Sequence, residues 1–533
     1  MPAIAESRPA ASAPTGRDLT GRDRMVWNVF ASWAGHAVFL AAGFIMPRQI
    51  DQHIGQIGLG VWDFGWAAVN YFFLAQIGVG VAINRYVAKH RAVGDVDGLS
   101  RMISAAMALQ IAAASIVLLL TAVSAEWLPD LFRERLGGEL VVGQQVIALL
   151  GASVAVRMAF QVFNGVVTGC HRWDLHNLLN STAYALTVTT MLYALSSGYG
   201  LVGISAIYLG GAILNELARM ILAYRVCPEL HIALFRVRWA DARPLLAFGA
   251  KLSSIDAVKI IVAQLTGMLV LSQIGVATLA VYSRLSALIR HTETMLYKFS
   301  LPLTPTVSSL QGSGRDAEVQ TLFIGSTRTA AYIAWPMLLG LAMAGDAILE
   351  LWMGPRYDQH VVLAWMAAAS MFPLTQQPLE MILVGLNLHG RFAMFSIVGS
   401  ILGFIGSVIA LRWLGWELLG LAGIGLIVAN VESLWIAVHT CRRLSIPVRA
   451  YFVGAYRGPL VCAVPFVIVL GVVRFFFPDE PLTRLLLSMA LGGAVLVPLY
   501  WRRLLSPEQR ELVLKRFNRR RVVVSVSTEP GRV

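Results

Sequence analysis

The sequence predicts an all-α polytopic membrane protein with about fourteen transmembrane helices. The 533 residues are 57% hydrophobic and 14% charged, and the mean hydropathy is +0.66. A soluble chain carries about 25% charged residues, because a water-facing surface needs them. A chain this long with so few charges must present much of its surface to lipid.

Fourteen segments meet the requirement of about 20 mostly apolar residues for a membrane span. The first of these segments is predicted to be a retained helix rather than a cleaved signal peptide, because its apolar run is long enough to span the membrane. The segments are 25–47, 58–82, 100–124, 141–167, 175–197, 200–223, 247–272, 276–305, 321–344, 361–386, 392–413, 418–440, 456–477 and 482–501.

The distribution of Lys and Arg supports an even number of spans with both termini in the cytoplasm. With the N-terminus inside, the inside segments and the span ends next to them hold 31 of the 43 Lys and Arg residues, and the outside loops and the span ends next to them hold 7. A miscounted helix would invert every later loop and remove this bias. The longest outside loop has about 15 residues, around 126–139. No outside segment is long enough to fold as a catalytic domain, so we expect no enzyme activity.

Short sequence matches recur at nearly one offset and indicate an internal duplication. They are Gly200-Leu201-Val202-Gly203-Ile204 with Gly420-Leu421-Ala422-Gly423-Ile424, Gln56-Ile57-Gly58 with Gln273-Ile274-Gly275, Asp95 with Asp316, and Glu216 with Glu432. The offset corresponds to six helices, and an even-numbered unit keeps its orientation when it is duplicated. We therefore expect two six-helix bundles related by an axis along the membrane normal. The predicted parts are a disordered cytoplasmic tail at 1–24, bundles at 25–225 and 244–444, two appended helices at 452–501 and a basic cytoplasmic tail at 502–533.

Four cations inside predicted spans are candidate substrate-binding residues that would line a central cavity. They are Arg157, Lys259, Arg284 and Arg290. Ionisable groups in a span cost energy and commonly mark a substrate pathway. Guanidinium groups suit bidentate contact with phosphate or carboxylate, which favours an anionic ligand. The alternative is that each cation pairs with a carboxylate on a neighbouring helix.

Four acidic residues inside predicted spans are candidate ion-coupling sites. They are Asp256, Glu216, Glu432 and Asp63. A buried carboxyl group can bind and release a proton if burial raises its pKa. The alternatives are pairs at i, i+3, namely Asp256 with Lys259 and Glu216 with Arg219, or hydrogen bonds to a neighbouring Asn.

The sequence has no pattern of a catalytic, metal or cofactor site. There is neither an HExxH nor a GxxxxGK[ST] motif, so we expect no metal, no cofactor and no catalytic residue. The four cysteines make no CxxC motif and are predicted to be structural. The net charge of +13 is explained by topology and by attraction of the basic tail to membrane lipid, so we expect no nucleic-acid partner.

Several motifs resemble those of a known family. They are Gly-Gln-Ile-Gly-Leu-Gly-Val-Trp at 55–62, Gln-Ile-Gly-Val-Gly-Val-Ala-Ile-Asn-Arg-Tyr-Val-Ala-Lys-His at 76–90, Ala-Val-Tyr-Ser-Arg at 280–284 and Leu-Trp-Met-Gly-Pro-Arg-Tyr at 351–357. Together they resemble bacterial polysaccharide flippases of the O-antigen type, in the multidrug/oligosaccharidyl-lipid/polysaccharide exporter superfamily. The resemblance covers helices one to twelve.

The resemblance implies a flippase of the bacterial inner membrane that acts in surface polysaccharide (O-antigen, lipopolysaccharide) biosynthesis. Its substrate would be an undecaprenyl-pyrophosphate-linked oligosaccharide, moved by alternating access and coupled to ions as an antiporter. Polymerases and glycosyltransferases of the same pathway would be partners. Related lipid II flippases cluster arginines in helices one and two, whereas this chain has no cation between Arg24 and Arg48. The alternatives are a multidrug exporter of the same superfamily and a polytopic polysaccharide polymerase or glycosyltransferase.

Overall fold

A computed structural model describes residues 22–72, 94–170, 172–386 and 388–504, together with positions 83, 87, 90, 91, 510 and 511. The predicted N-terminal tail, most of the 76–90 motif and most of the basic C-terminal tail lie outside these residues. The chain divides into two compact units, Met1–Ala280 and Val281–Val533. The bundle boundaries at 225 and 244 stay a prediction.

The described part of the first unit is built from long helices. They are α1 (Arg22–Asn70), α2 (Val96–Leu131), α3 (Arg133–Leu136), α4 (Leu140–Gly169), α5 (Trp173–Ser196), α6 (Gly200–Val226), α7 (Trp239–Gln273) and the first residues of α8 (Val276–Ser300), with 3₁₀ turns at Gly137–Glu139 and Leu234–Arg236. The predicted division of the fifth and sixth spans at 196–200 is confirmed, since α5 ends at Ser196 and α6 begins at Gly200.

The described part of the second unit contains the rest of α8 and eight further helices. They are α9 (Leu303–Gly312), α10 (Asp316–Met353), α11 (His360–Thr375), α12 (Gln377–Gly385), α13 (His389–Arg412), α14 (Glu417–Arg443), α15 (Val448–Phe476) and α16 (Pro481–Arg503), with a 3₁₀ turn at Pro355–Tyr357.

The all-α membrane fold class is confirmed. In the described residues every regular element is helical, and eight helical segments are long and apolar enough to cross a membrane. Other helices, including α1, α7 and the α11–α12 pair, coincide with the remaining predicted spans. The fourteen predicted spans fit this arrangement.

The same helix pairings recur in each unit, as the duplication predicts. In the first unit α2 packs on α4, α4 on α6, and α5 on α6. In the second unit the helices at corresponding positions, α10, α11, α13 and α14, pair in the same pattern: α10 on α11, α11 on α14, and α13 on α14. Each unit thus buries its apolar side chains through one repeated set of helix contacts.

Glycines make the tight turns between the first two helices of each predicted bundle. Gly55 has φ of +91° within α1, and Gly275 has φ of +141° between α7 and α8. Glycine occupies such backbone conformations without the steric penalty of a Cβ. The first two predicted spans are thus separated at a single residue, Gly55, and the rest of 48–57 is helical.

Prolines divide two predicted spans. The span predicted at 276–305 ends as α8 at Ser300, and Pro302 precedes the separate α9. The span predicted at 361–386 is divided near Thr375, with Pro373 in the last turn of α11 and Pro378 in the first turn of α12. Proline removes a backbone donor and clashes with the preceding turn, so it ends or bends helices.

Polar side chains fill the break between α11 and α12. The Gln376 amide donates to the Tyr456 hydroxyl at 2.6 Å, and the Tyr451 hydroxyl donates to the Gln376 side-chain oxygen at 3.0 Å. Both tyrosines belong to α15, the first of the two helices beyond the repeat. The helix break is therefore one of the places where α15 is hydrogen-bonded to other helices of the second unit.

Asp95 and Asp316, one of the two acidic pairs matched by the duplication, both lie at the start of a helix. Asp95 precedes α2, where its carboxylate accepts from the Gly98 amide at 2.8 Å and contacts His90 at 2.9 Å. These two groups hold the pKa of the Asp95 carboxyl below its usual range. Asp316 is the first residue of α10. A negative charge at a helix N-terminus is stabilising.

Close backbone packing joins the second half of α1 to the start of α8 within the first unit. A Cβ placed on Gly60 would overlap the Val276 carbonyl oxygen. Nearby, the Gln56 amide donates to the Ala277 carbonyl at 3.4 Å. The Arg135 guanidinium donates to the carbonyls of residues 272–274 at 3.1–3.4 Å.

The substitution Gly60→Ala is expected to lower the free energy of unfolding by about 1–3 kcal/mol, because the added methyl group must displace a backbone carbonyl. Thermal unfolding of the purified protein measures the effect. Gly43→Ala is the matched control on the same helix, since nothing lies within 4 Å of a Cβ there. Equal unfolding temperatures for the two variants would show that the contact does not constrain the protein.

Candidate functional site

A group of buried polar side chains lies between α4, α5 and α6 of the first unit. Asn180 comes from α5, and Asn215, Glu216 and Arg219 come from α6. Glu216 is 2% exposed and Arg219 is 7% exposed. Side chains buried this deeply must satisfy one another, because neither water nor lipid provides partners there.

An ion pair and amide hydrogen bonds hold this group together. A nitrogen of Arg219 lies 3.3 Å from a Glu216 carboxylate oxygen. Arg219 also donates to the Asn180 side-chain oxygen at 2.6 Å, and the Asn215 amide donates to Glu216 at 3.4 Å. The predicted alternative, in which Glu216 pairs with Arg219 and a neighbouring Asn, describes this geometry.

Arg157 on α4 faces the same group through an aromatic ring. Its guanidinium carbon lies 4.8 Å from the ring centroid of Tyr208 on α6, a cation–π distance. Arg219 is the ion-pair partner of Glu216, and the Arg157 charge lies near enough to act on the same carboxylate.

Aromatic rings extend from Tyr208 toward the other helices of the first unit. Trp66 meets Tyr208 edge to face, with centroids 5.3 Å apart, and Trp62 meets Trp66 at 6.1 Å. Tyr184 stacks on Phe39 at 4.2 Å. A few fixed polar groups among aromatic side chains are typical of a small-molecule binding site. We call Arg157, Glu216, Arg219, Asn180, Tyr208 and Trp66 the α4–α6 cluster.

The other predicted site residues occupy different positions. Asp63 is half-buried on α1, and Glu432 is half-buried on α14 beside Gly399. Arg284 is 6% exposed on α8, and its side chain has an interaction partner, as burial of a guanidinium requires. Arg290 is exposed one and a half turns further along α8. Asp256 and Lys259 belong to α7, but their side chains lie outside the described residues.

Sequence reasoning missed Tyr208, Asn180 and Trp66. The sequence did contain one indication that Tyr208 lies on the same face of α6 as Arg219, because the two residues are eleven positions apart. At 100° per residue this spacing places them within about 20° of one another. The contact with Arg157 carried no such signal, because it depends on how α4 and α6 pack.

The remaining chemistry of the described residues is sparse. Among them no group of three or more His, Cys, Asp or Glu side chains is arranged to hold a metal ion. All four cysteines, Cys170, Cys227, Cys441 and Cys462, are buried and unbridged. The α4–α6 cluster can bind and orient a polar ligand, and its carboxylate can accept a proton.

The family to which the chain belongs follows from sequence similarity. Residues 59–362, more than half of the chain, match the family described as "Polysaccharide biosynthesis protein". No curated protein is detectably similar in sequence.

Solved structures share the fold of this chain at low sequence identity. The lipid II flippase MurJ, in an inward closed conformation, is 12% identical with a TM-score of 0.65, and the match covers 90% of this chain and 99% of that one. An inward-facing multidrug resistance MATE family transporter of the MOP superfamily is 13% identical with a TM-score of 0.64, covering 75% and 93%. A MOP superfamily transporter from Pyrococcus furiosus is 14% identical with a TM-score of 0.58, covering 80% and 96%. The chain belongs to the polysaccharide biosynthesis protein family and has the fold of MOP superfamily transporters.

Proposed function

We propose that this protein is a flippase that moves a polyprenyl-pyrophosphate-linked oligosaccharide across the bacterial inner membrane for surface polysaccharide synthesis. It acts by alternating access, takes its substrate from the cytoplasmic leaflet, and has both termini in the cytoplasm. Membership of the polysaccharide biosynthesis family and a fold shared with a lipid II flippase support this proposal. The undecaprenyl carrier is the substrate class expected from the sequence motifs.

The observation that carries the proposal is the position of Arg157. A guanidinium inside a membrane bundle is costly unless it serves a ligand or a partner. Here it lies over the Tyr208 ring, near the ion pair of Glu216 and Arg219, so this part of the first unit holds two cations and one carboxylate. A pyrophosphate would supply the missing negative charge and accept the two parallel hydrogen bonds that a guanidinium offers.

The aromatic part of the α4–α6 cluster suits the sugar part of such a substrate. Trp62, Trp66 and Tyr208 follow one another at centroid distances of 5.3–6.1 Å. Sugar rings have apolar faces of C–H groups that pack on aromatic rings, while their hydroxyl groups reach for amides such as Asn180 and Asn215. Arg284 and Lys259 are proposed as further cavity cations, and Arg290 as a weaker one.

Coupling to an ion gradient, with protons as the ion, is the second part of the proposal. Glu216 is its strongest candidate, because the carboxylate is 2% exposed and belongs to the α4–α6 cluster. Protonation would break the ion pair with Arg219 and release a cation toward the substrate. Asp63, Asp256 and Glu432 remain proposed coupling residues. Antiport would then return protons to the cytoplasm as the substrate leaves it.

The test substitutes Arg157. In cells that lack the chromosomal gene, Arg157→Gln is expected to reduce surface polysaccharide more than tenfold, because a charge-assisted hydrogen bond contributes about 1.5–3 kcal/mol. Arg157→Lys keeps the positive charge but loses the planar guanidinium that makes two parallel hydrogen bonds. The amount of surface polysaccharide should therefore be intermediate. Polysaccharide is measured by immunoblot and normalised to the amount of protein in the membrane.

Arg225→Gln is the control, because Arg225 lies on α6 but is exposed. It should leave the polysaccharide unchanged. Wild-type polysaccharide with Arg157→Gln would remove Arg157 from the substrate path. Unchanged polysaccharide on deletion of the whole gene, together with increased sensitivity to cationic drugs, would favour a multidrug exporter instead.

A further inference from the structure

A cavity of about 330 Å³ opens in the second unit and involves no residue of the α4–α6 cluster. It lies where α12 ends, α13 begins and α14 ends. In the topology predicted from the distribution of Lys and Arg, all three of these helix ends are at the cytoplasmic face. The cavity therefore lies at the level of the lipid headgroups of the cytoplasmic leaflet.

The base of the cavity is apolar and its mouth is polar. Leu383, Phe392 and Ile436 are 4–5% exposed and form the base. Gly390 and Arg443 are exposed at the mouth. A ligand that fits both regions must carry an apolar part and a polar group within a few ångströms of one another.

One wall of the cavity is a stack of parallel rings. Phe395 and Trp435 lie with centroids 3.8 Å apart and planes 6° apart. Trp435 and His439 lie 5.0 Å apart and at 9°. Because its ring is held between two others, Trp435 presents a fixed surface to the cavity. Tryptophan is enriched at the level of the lipid headgroups, where its amphipathic ring is stable.

The mouth provides donors for an anion. Gly390 is in the first turn of α13, a 24-residue helix whose first backbone N–H groups have no partner within the helix. In the described residues no side chain caps this end. Arg443 supplies a full positive charge from the end of α14, and none of the described residues that line the cavity is acidic.

We propose that this cavity binds an anionic phospholipid of the cytoplasmic leaflet, with the phosphodiester between Arg443 and the start of α13 and the glycerol and first acyl carbons on the apolar base. Basic pockets between transmembrane helices on the cytoplasmic side bind acidic lipid headgroups. The site is independent of the proposed transport function. It links membrane composition to the packing of α12, α13 and α14.

The test uses the full-length protein in nanodiscs of phosphatidylcholine with a small fraction of phosphatidylglycerol, followed by native mass spectrometry of the retained lipids. The wild type is expected to retain phosphatidylglycerol in preference to phosphatidylcholine. Arg443→Gln should weaken this preference about fivefold, because one cation near the membrane surface contributes about 1 kcal/mol. Gly390→Leu should weaken it as well, since a Cβ there meets open space and a larger side chain fills the cavity.

Arg442→Gln is the matched control, because Arg442 is exposed on the same turn of α14 but does not line the cavity. It should bind phosphatidylglycerol as the wild type does. Equal losses with Arg442→Gln and Arg443→Gln would mean that surface charge attracts the lipid and would overturn the proposal. Unchanged retention with Gly390→Leu, or no preference in the wild type, would overturn it too.

Discussion

Replacing Arg219 with methionine is expected to lower the free energy of unfolding by about 3–5 kcal/mol, because it leaves the Glu216 carboxylate buried without its cation. Glu216 is 2% exposed, so water cannot take the place of Arg219. The substitution also removes the donor to Asn180 at 2.6 Å. Thermal unfolding of the purified protein should show a decrease in Tm on the order of 5 °C or more.

Two further variants separate the ion pair from the loss of a large side chain. Arg225→Met removes an exposed arginine from the same helix and should change the free energy of unfolding by less than about 1 kcal/mol. The double variant Glu216→Leu/Arg219→Met removes both charges and should recover most of the loss, because two apolar side chains need no partner. A double variant as unstable as Arg219→Met alone would contradict the assignment of the ion pair.

The double variant also separates stability from coupling. If Glu216 carries the transported proton, the folded double variant should lose its response to a proton gradient. If Glu216 only neutralises Arg219, the double variant should respond as the wild type does. Stability and coupling are therefore measured on one protein with two independent readouts.

Composition and periodicity were sufficient to predict the class of fold. Apolar stretches are a strong signal, because a chain segment that spans lipid must satisfy its own backbone hydrogen bonds as a helix. The placement of Lys and Arg is a second strong signal, because these residues are enriched in cytoplasmic loops. The helix ends were less predictable. Helices end or bend at Gly55 and at the prolines 302, 373 and 378. A search for apolar stretches does not detect these positions.

Contacts along one helix were predictable and contacts between helices were not. Glu216 and Arg219 are three residues apart, so their pairing follows from helical geometry. Arg157 meets Tyr208 only because α4 packs on α6, and Asn180 reaches Arg219 only because α5 packs on α6.

Reconstituted vesicles test the central claim, which is that this protein moves a lipid-linked oligosaccharide between leaflets. Purified protein is incorporated into liposomes that contain a polyprenyl-pyrophosphate-linked oligosaccharide with a fluorescent label. A membrane-impermeant quencher that destroys the label irreversibly then removes each labelled lipid that reaches the outer leaflet. Spontaneous movement of so polar a headgroup is extremely slow, because its charges and hydroxyl groups must leave water.

In protein-free liposomes about half of the label should stay protected, as expected for a lipid shared between two leaflets of similar area. With the wild-type protein nearly all of the label should become accessible to the quencher, and an imposed proton gradient should change the rate. Arg284→Glu, which reverses a buried charge that we place in the substrate path, should behave like protein-free liposomes when the amount of folded protein is matched to that of the wild type. Label that stays half protected in the presence of correctly folded wild-type protein would contradict the proposed function.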